Sequence, residues 1–475
     1  MLADMSSPVL SIAQMRDWEE ATWAGGQTQT EVIRRVGLSL AQIALRLTQT
    51  QDLILILAGK GHNGEDARMA REHLSGRRVE LLDIVDPQAD LARLLAQLAQ
   101  RPALVIDGLF GIGLDRPLSA GWVKLVESLN EAKVRVLAVD VPSGLDADSG
   151  QPQGAAVEAA ITLTVGAPKQ GLMTESAWPY VGRLEVAGEV GLKPGPPASS
   201  LYCTESGDFR GFPPTRKVAT HKGSYGHLAI IAGSPGYHGA AVLAARGAQR
   251  AQPGLITLHT LDAVYHPVAA QLQAVMVAQW QPAVKLAASY TAVLLGPGLA
   301  AVEFTDQMKI LARSFWRDSA LPLIVDASAL DWLPLDPVVR NTIRVLTPHP
   351  GEAARLLRLT IAQVQANRVN AVREISRRFG NAWVVLKGHQ TLIGRGTGEV
   401  FVNLSGNPHL AQGGSGDLLS GYIAGWLAQP AMRSDVLNTL RFAVWQHGAV
   451  ADQLQAARPN WTVEDLAEAL GSQMP

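Results

Sequence analysis

Short apolar runs alternate with longer amphipathic stretches along the whole chain. In the first half the runs are LILILAG (53–59), VELLDIV (79–85), ALVIDG (103–108), VRVLAVD (134–140) and ITLTVG (161–166). Helical patterns such as DLARLLAQLAQ (90–100) lie between them. This alternation predicts a parallel sheet with helices on both faces. From about Gly188 to Pro214 the periodicity gives way to Gly and Pro, as in GEVGLKPGPPASS and GDFRGFPP, which reads as a linker. The alternation then restarts with HLAIIAG (227–233), LITLH (255–259), AVLLG (292–296), PLIVD (322–326), IRVL (343–346), WVVLK (383–387) and EVFVN (399–403). An Ala-rich helix, GAAVLAARGAQRA, follows the first of these, and an apolar helix, DLLSGYIAGWLAQ, comes near the end. The halves share no alignable repeat. The expectation is two different α/β domains, 1–205 and 213–475.

Composition agrees with that picture and narrows it. A chain of 475 residues suggests two domains or more, and 47% apolar residues suffice for sizeable cores. No run reaches the roughly 18 apolar residues needed to cross a bilayer. Lys plus Arg is 41 and Asp plus Glu is 42, a net charge of −1 that argues against a nucleic-acid binder. The single cysteine, Cys203, excludes an intramolecular disulfide and suits a reducing compartment. The N-terminal MLADMSSPVLSIAQMRDWEE lacks a basic segment followed by an apolar one. A cytoplasmic protein with no membrane partner is expected.

In an open α/β sheet, ligands bind beyond the carboxyl ends of the strands. The first run ends in Gly59-Lys60-Gly61-His62-Asn63-Gly64, the glycine spacing of a dinucleotide-binding turn, with Glu80 and Asp83 about twenty positions on. That pattern alone would suit a dehydrogenase. The third run, however, ends in Asp107 and leads into GLFGIGLDRP, and the fourth leads into DVPSGLDADSG with Asp140 and Ser143. After the fifth comes GAPK with Lys169. Each piece alone has a structural explanation, since Asp caps helices and Gly makes turns. Four in one sheet point to a site. Two carboxylates with Asn and Ser oxygens are hard ligands that suit a small hard cation.

The second half carries GSPGYHGAAVL after its first run and Gly296-Pro297-Gly298 after AVLLG. TPHPGEAARLL follows IRVL; Pro350 and Glu352 suit the first turn of a helix, where Glu352 complements the dipole. His349, between two prolines, reads as a ligand contact. In NPHLAQGGSGDLLSG, Gly413, Gly414 and Gly416 precede Asp417 at a helix start. The N–H groups of such a turn attract an anion. A carboxylate there repels phosphate unless it takes a proton from a hydroxyl during phosphoryl transfer. The competing explanation is a helix cap.

Together these residues resemble two joined families. The first domain is similar to the NAD(P)H-hydrate epimerases, with a Rossmann-like three-layer fold. The second is similar to the ADP-dependent NAD(P)H-hydrate dehydratases, with a ribokinase-like α/β fold. HKGSYGHLAIIAGSPGYHGAAVLAA, GPG, TPHPGE, LKGHQT and GGSGDLLSG stand in that family's order. The resemblance makes the dinucleotide a substrate: one domain interconverts the (6R) and (6S) hydrates, and the other removes the hydroxyl of the (6S) form with ADP, leaving AMP and phosphate. It implies Asp417 as base, Gly413, Gly414, Ser415 and Gly416 as the phosphoryl anion hole, and Lys387, Gly388, His389, Gln390, Thr391 and Gly416 as nucleotide contacts. Ala240, Gly298, His349 and Asp417 would hold the hydrate there. In the first domain it implies potassium at Asn63, Asp107 and Ser143. The hydrate would contact His62, Asn63, Gly64, Glu65, Asp66, Gly111, Ile112, Gly113, Leu114, Asp115, Arg116, Pro117 and Asp140, with Asp140 and Lys169 catalytic. Mg2+ would accompany ADP, and a homo-oligomer is expected.

The first domain departs from its family's pattern. Gly-Lys-Gly-His-Asn-Gly-Glu-Asp-Ala stands where Gly-x-Gly-Asn-Asn-Gly-Gly-Asp-Gly is usual, so His62, Glu65 and Ala67 are substitutions. Glu65 is expected to obstruct the backbone's approach to a ligand. IRRVG (33–37) replaces a Met-Glu-x-Ala-Gly-like segment. His409 and Gln412 are minor variations beside the catalytic turn. Two alternatives stay open: a first domain reduced to binding or scaffolding, and a ribokinase-like kinase that releases a stable phosphate ester.

Overall fold

Apolar runs buried on both faces can only be interior strands of a covered parallel sheet, and the first half uses them so. The computed structural model describes residues 6–280, 288–300, 306–334 and 342–473; the first five residues of the N-terminal stretch read for a leader lie outside these. The chain divides into two compact units, Met1–Ser200 and Leu201–Pro475. The first unit holds strands β1 (Leu53–Ala58), β2 (Arg78–Asp83), β3 (Leu104–Gly108), β4 (Val136–Val139), β5 (Ile161–Val165) and β6 (Arg183–Ala187). Their order is β2-β1-β3-β4-β5-β6, and every pairing is parallel. All six residues of β1 are buried, whereas edge strand β2 alternates exposed and covered positions. Alternate β1 residues feed two cores. Ile54 and Ile56 pack with Val36, Leu40 and Ala67 on one face; Leu55 and Leu57 pack with Leu94, Leu98, Leu125 and Leu129 on the other. The unit is therefore a three-layer sandwich. Because β2 and β3 flank β1 on opposite sides, the chain direction switches between β1 and β3, the point at which such sheets open a crevice.

The second unit holds β7 (Leu201–Thr204), β8 (His227–Ile231), β9 (Leu255–Thr260), β10 (Met276–Gln279), β11 (Ala292–Leu295), β12 (Leu323–Val325), β13 (Arg344–Leu346), β14 (Trp383–Leu386), β15 (Leu392–Gly394) and β16 (Val400–Asn403). The ten strands form one sheet in the order β10-β9-β8-β11-β12-β13-β14-β15-β16-β7. Only β15 runs antiparallel to its neighbours. Strand β7 lies inside the stretch expected to be a linker; it pairs in parallel with β16, about 200 residues away in sequence. No helix among the described residues is long and apolar enough to cross a membrane.

Helices His238–Arg250 and Ser415–Ala428 cross at near backbone contact on one face of this sheet. A Cβ on Gly421 would lie 1.9 Å from the Ala244 carbonyl oxygen, and one on Gly247 would lie 2.1 Å from that of Leu418. Such a contact admits no methyl group. Gly421→Ala is therefore expected to destabilise the second unit by ~1–3 kcal/mol through overpacking, and to displace the start of helix 415–428. Chemical denaturation would read the first effect. A stability equal to wild type would show that the helices can part without cost.

Candidate active sites

In the first unit the polar residues beyond β1, β3, β4 and β5 form two adjoining groups. The Asp107 side chain, at the end of β3, is fully buried. Its Oδ1 accepts from Ser143 Oγ at 2.7 Å and from the Leu109 N–H at 3.3 Å, and its Oδ2 accepts from the Ser143 N–H at 2.9 Å. Ser143 Oγ also accepts from the Phe110 N–H at 2.9 Å, and Asn63 Nδ2 donates to the Phe110 carbonyl at 2.8 Å. Asn63, Asp107 and Ser143 are thus gathered around Phe110. Burial pushes the Asp107 carboxyl up against the pull of its hydrogen bonds, and no cationic side chain among the described residues offsets it.

The second group centres on Lys169, whose side chain is 1% exposed. Its ammonium donates to Asp140 Oδ1, to the Val165 carbonyl at 2.9 Å and to Thr164 Oγ1 at 3.2 Å. Asp140 stands in the left-handed region at φ +63°, a strained conformation for a non-glycine residue. It also accepts from the Val165 N–H at 2.9 Å. Leu10 bridges Lys169 from the other side, through Leu10 N–H to Pro168 O and Gln170 N–H to Leu10 O. Two further carboxyls feel this pair. Asp66 is pushed well up by burial, then by Asp140, Glu65 and Glu19; Glu19 is pushed up by burial and Asp140. Glu19 sits on helix Ile12–Ala24 and belongs to no strand end, so the strand-end argument could not find it.

The remaining expected residues surround these groups. Helix His62–Ala70 starts with His62 exposed and Gly64 buried. A Cβ on Gly64 would lie 2.1 Å from the Gly59 carbonyl, and one on Gly111 would lie 3.1 Å from Asn63 Oδ1. Gly113, Asp115, Arg116 and Pro117 are exposed, while Ile112 and Leu114 are half-buried; Ile112 packs towards Met15 and Trp18. Glu65 is exposed in the helix's first turn, where its charge suits the dipole, and the space around Gly61 is open. Arg68 is occupied elsewhere, with Asp83 at 2.7 Å and the Gly59 carbonyl at 2.8 Å. Ala67 is core: its Cβ lies 2.5 Å from where a Cβ on Gly108 would stand. In IRRVG, Arg34 and Arg35 pair with Glu31 on the surface, and Gly37 fits against Met69.

In the second unit the strand ends converge on the start of helix 415–428. Gly298, at φ +65°, meets Ala240: their Cβ positions would be 2.9 Å apart. Ser234 Oγ donates to the Gly298 carbonyl at 2.6 Å. His349 caps helix Pro350–Leu357, its Nδ1 accepting from the Gly351 N–H at 3.0 Å, while Glu352 Oε2 accepts the His349 N–H at 2.7 Å. Glu352 is buried in the first turn of that helix and completes its capping box. Arg368 fixes the 387–391 loop by donating to the carbonyls of His389 at 2.6 Å and Gln390 at 3.0 Å, and Thr391 Oγ1 donates to the Gly388 carbonyl at 3.0 Å.

Lys387 Nζ pairs with Asp326 Oδ1 at 2.7 Å. Asp326 ends β12 and is 1% exposed; it closes PLIVD, so the strand-end argument applied to Asp107 and Asp140 would have found it. The Lys387 ammonium lies 3.4 Å from where a Cβ on Gly416 would stand. Burial disfavours its charge, yet Asp326, Glu352 and Asp417 hold it above the ordinary lysine value. Helix 415–428 has Gly414 as N-cap at φ +93° and no side-chain cap, which leaves first-turn N–H groups for an anion. Asp417 stands in that first turn without capping it. Burial, then Asp326 and Glu352 against the opposing pull of Lys387, raises its carboxyl to about 7. His447, buried behind the turn beside the Ser415 backbone, is pushed down to about 4 by burial and is neutral.

The architecture defines a Rossmann-like unit joined to a ribokinase-like unit. The family described as NAD(P)H-hydrate dehydratase matches residues 228–474, and the one described as YjeF-related protein N-terminus matches residues 83–171. The chain belongs to the bifunctional NAD(P)H-hydrate repair enzymes. It is 33% identical to the enzyme of that name from Coxiella burnetii, over 93% of each chain. It is 38% identical to that from Vibrio cholerae, over 74% of this chain and 70% of the other. The second unit is also similar to a crystal structure of ADP/ATP-dependent NAD(P)H-hydrate dehydratase from Bacillus subtilis, co-crystallised with ATP/Mg2+. That likeness has 30% identity and a TM-score of 0.50, over 57% of this chain and 96% of that one.

A raised carboxylate has a consequence for stability. Folding holds Asp417 protonated up to about 7 against 3.8 for the ordinary side chain, so its contribution is present below the lower value and lost as pH rises towards 7. Asp417→Asn removes that cost, on the order of a few kcal/mol at about pH 8. The melting temperature of the second unit is expected to rise by a few degrees there. The gain should shrink on acidification and vanish near pH ~4. Calorimetry across that range checks it; a gain independent of pH would mean the carboxyl titrates normally.

Proposed function

We propose that the second unit, taken as 213–475, dehydrates the (6S) hydrate of NADH or NADPH with ADP, and that the first, taken as 1–205, epimerises the (6R) and (6S) hydrates. The observation that carries the first part is Asp417: a carboxyl held near 7, in an uncapped helix turn beside Lys387. Hydroxide is a poor leaving group. Asp417 takes the proton of the hydrate hydroxyl, whose oxygen attacks the terminal phosphoryl group of ADP as the bond to AMP breaks. The N–H groups around Gly413 to Gly416 and the Lys387 ammonium stabilise charge on the transferring oxygens. Phosphate then leaves the ring, pushed by the ring nitrogen's lone pair, and a ring proton follows to restore NAD(P)H. Ala240, Gly298 and His349 would hold the hydrate, and Lys387 to Thr391 the nucleotide.

Among the described residues no group of three or more His, Cys, Asp or Glu is arranged for a metal ion. Mg2+ would enter as an ion carried on the nucleotide's phosphates, in the usual manner of a cation that keeps its waters. In the first unit, the buried and uncompensated Asp107 with the oxygens of Asn63 and Ser143 fits a hard cation such as potassium, which would supply positive charge beside the 111–117 loop. Asp140 and Lys169 would take the hydroxyl proton as the ring C–N bond at that carbon opens to an aldehyde, protonating the ring nitrogen, and return it as the nitrogen recloses on the other face, beside His62 to Asp66.

Asp417→Asn is expected to slow dehydration ~100- to 10,000-fold with little change in ADP affinity, followed by NADH absorbance with ADP, with ATP and with neither. A near-normal rate would leave Asp417 a structural residue, and accumulation of a phosphate ester would make the unit a kinase. For the first unit, replacing potassium by tetramethylammonium, or Ser143 by Ala, should slow consumption of the (6R) hydrate ~10-fold or more while (6S) consumption is unchanged. Equal (6R) rates would remove the cation's role, and no epimerisation at all would favour a binding or scaffold unit.

A further inference from the structure

We infer that Asp326 is a positioning residue for dehydration: it holds the Lys387 ammonium against the turn at Gly416 and so keeps Asp417 free to act as a base. The inference rests on the reading of Asp417 as base.

The geometry fixes both partners of the pair. The Asp326 N–H donates to the Leu295 carbonyl at 3.0 Å, and a Cβ on Gly296 would lie 1.8 Å from the Asp326 carbonyl oxygen. Its backbone is therefore locked between the ends of β11 and β12. The Lys387 N–H donates to the Pro348 carbonyl at 2.9 Å, which anchors the lysine between β13 and β14. The two side chains are 1% and 16% exposed, so water competes little for the 2.7 Å contact.

Charge balance gives the pair its role. Three carboxylates face this space, Asp326 from β12, Glu352 from helix 350–357 and Asp417 from helix 415–428, and Lys387 from β14 is the cation they share. His349 accepts N–H groups through Nδ1 at the cap of Glu352's helix and sets its Nε2 3.5 Å from Glu352 Oε1, and Arg368 is turned to the loop carbonyls behind Lys387. Buried neutral His447 adds no charge. If Asp326 did not take the ammonium, Glu352 and Asp417 would be its alternative partners, and the negative charge of Asp326 that itself raises Asp417 would be gone. An opposite charge in contact lowers a carboxyl by one to three units or so, and a base so paired loses proton affinity and rate. Asp326 thus makes Lys387 a donor to the phosphoryl site without making it a counter-ion to the base.

The test is the pH profile of kcat/KM for the (6S) hydrate at saturating ADP, in the full chain. The acid limb of the wild type should fall near the Asp417 value of about 7. Asp326→Asn should move that limb down by about one unit or more, and lower the plateau ~10-fold. Lys387→Gln should move the limb up, because the group that lowers Asp417 has gone. Opposed shifts are a signature that a merely structural role for Asp326 would not produce. A limb unmoved in Asp326→Asn overturns the inference. If that variant does not fold, an unmoved limb in Lys387→Gln overturns it equally. Asp417→Asn separates the two levels. Loss of activity there with an unmoved Asp326→Asn limb refutes only the positioning role, whereas a normal rate in Asp417→Asn refutes the base assignment itself.

Discussion

The second unit depends on one steric constraint, the crossing of helices 238–250 and 415–428 at near backbone contact. Gly247 and Gly421 remove the side chains that would hold the helices apart. At this separation Leu418, Tyr422 and Ile423 reach the same core as Ala241, Ala244 and Ala248. The consequence for chemistry lies at the near end of the second helix. Its first turn carries Gly416 and Asp417, and a rigid rod pinned at Gly421 sets where that turn stands. Gly414, whose Cβ would meet Leu243 Cδ1 at 2.3 Å, continues the same contact into the turn. Packing and catalytic geometry are therefore one feature here, and an apolar helix can carry a carboxylate at its tip because its shaft supplies the stabilisation.

The two sites solve one electrostatic problem alike. Each buries a single ammonium among several carboxyls: Lys169 with Asp140, Asp66 and Glu19, and Lys387 with Asp326, Glu352 and Asp417. One carboxylate forms the tight pair, which satisfies the buried cation. Glu19, Asp66 and Asp417 feel burial and the remaining negative charge, and their proton affinity rises. Asp417, raised to about 7, exchanges protons near neutral pH, which an isolated surface carboxyl does not. Asp107 is the exception in kind. It is held by hydrogen bonds, with no cationic side chain among the described residues against it.

Much of the fold was legible because parallel strands are continuous apolar runs. The elements that were missed lack that mark. β6, RLEVA, has two charged residues in five; β15 has three residues; β10 is an exposed edge. β7 sits among Gly and Pro and is defined only by its partner β16, a non-local pairing that no window of sequence reveals. The site was legible where a polar residue closes a run, as with Asp107, Asp140 and Lys387. Glu19 was not legible, because a helix packed over the site carries no such punctuation. The effects of Glu65 and Ala67 depended on direction rather than identity: one faces solvent, and the other fills a space left by Gly108.

That last point bears on what a glycine-rich turn after a first strand reports. Gly59 is required because a Cβ there would lie 2.1 Å from the Leu109 carbonyl, and Gly64 because one would lie 2.1 Å from Gly59's own. Both contacts are internal to the protein. They close β1 against β3 and seat helix 62–70 on the sheet before any ligand arrives. The spacing therefore reports a strand, a tight turn and a helix at a topological switch point, which suits a dinucleotide whatever its fate. The fate is decided by what stands beside the turn. A cofactor site needs only to orient a ring for hydride transfer, and carboxyls with raised proton affinity have no part in that. Here Asp66 is buried with its proton affinity raised, and Lys169 is paired with Asp140. The turn that reads as a cofactor motif thus reports, in this chain, a strand, turn and helix packed for their own sake, with a buried carboxyl, Asp66, on the helix that follows.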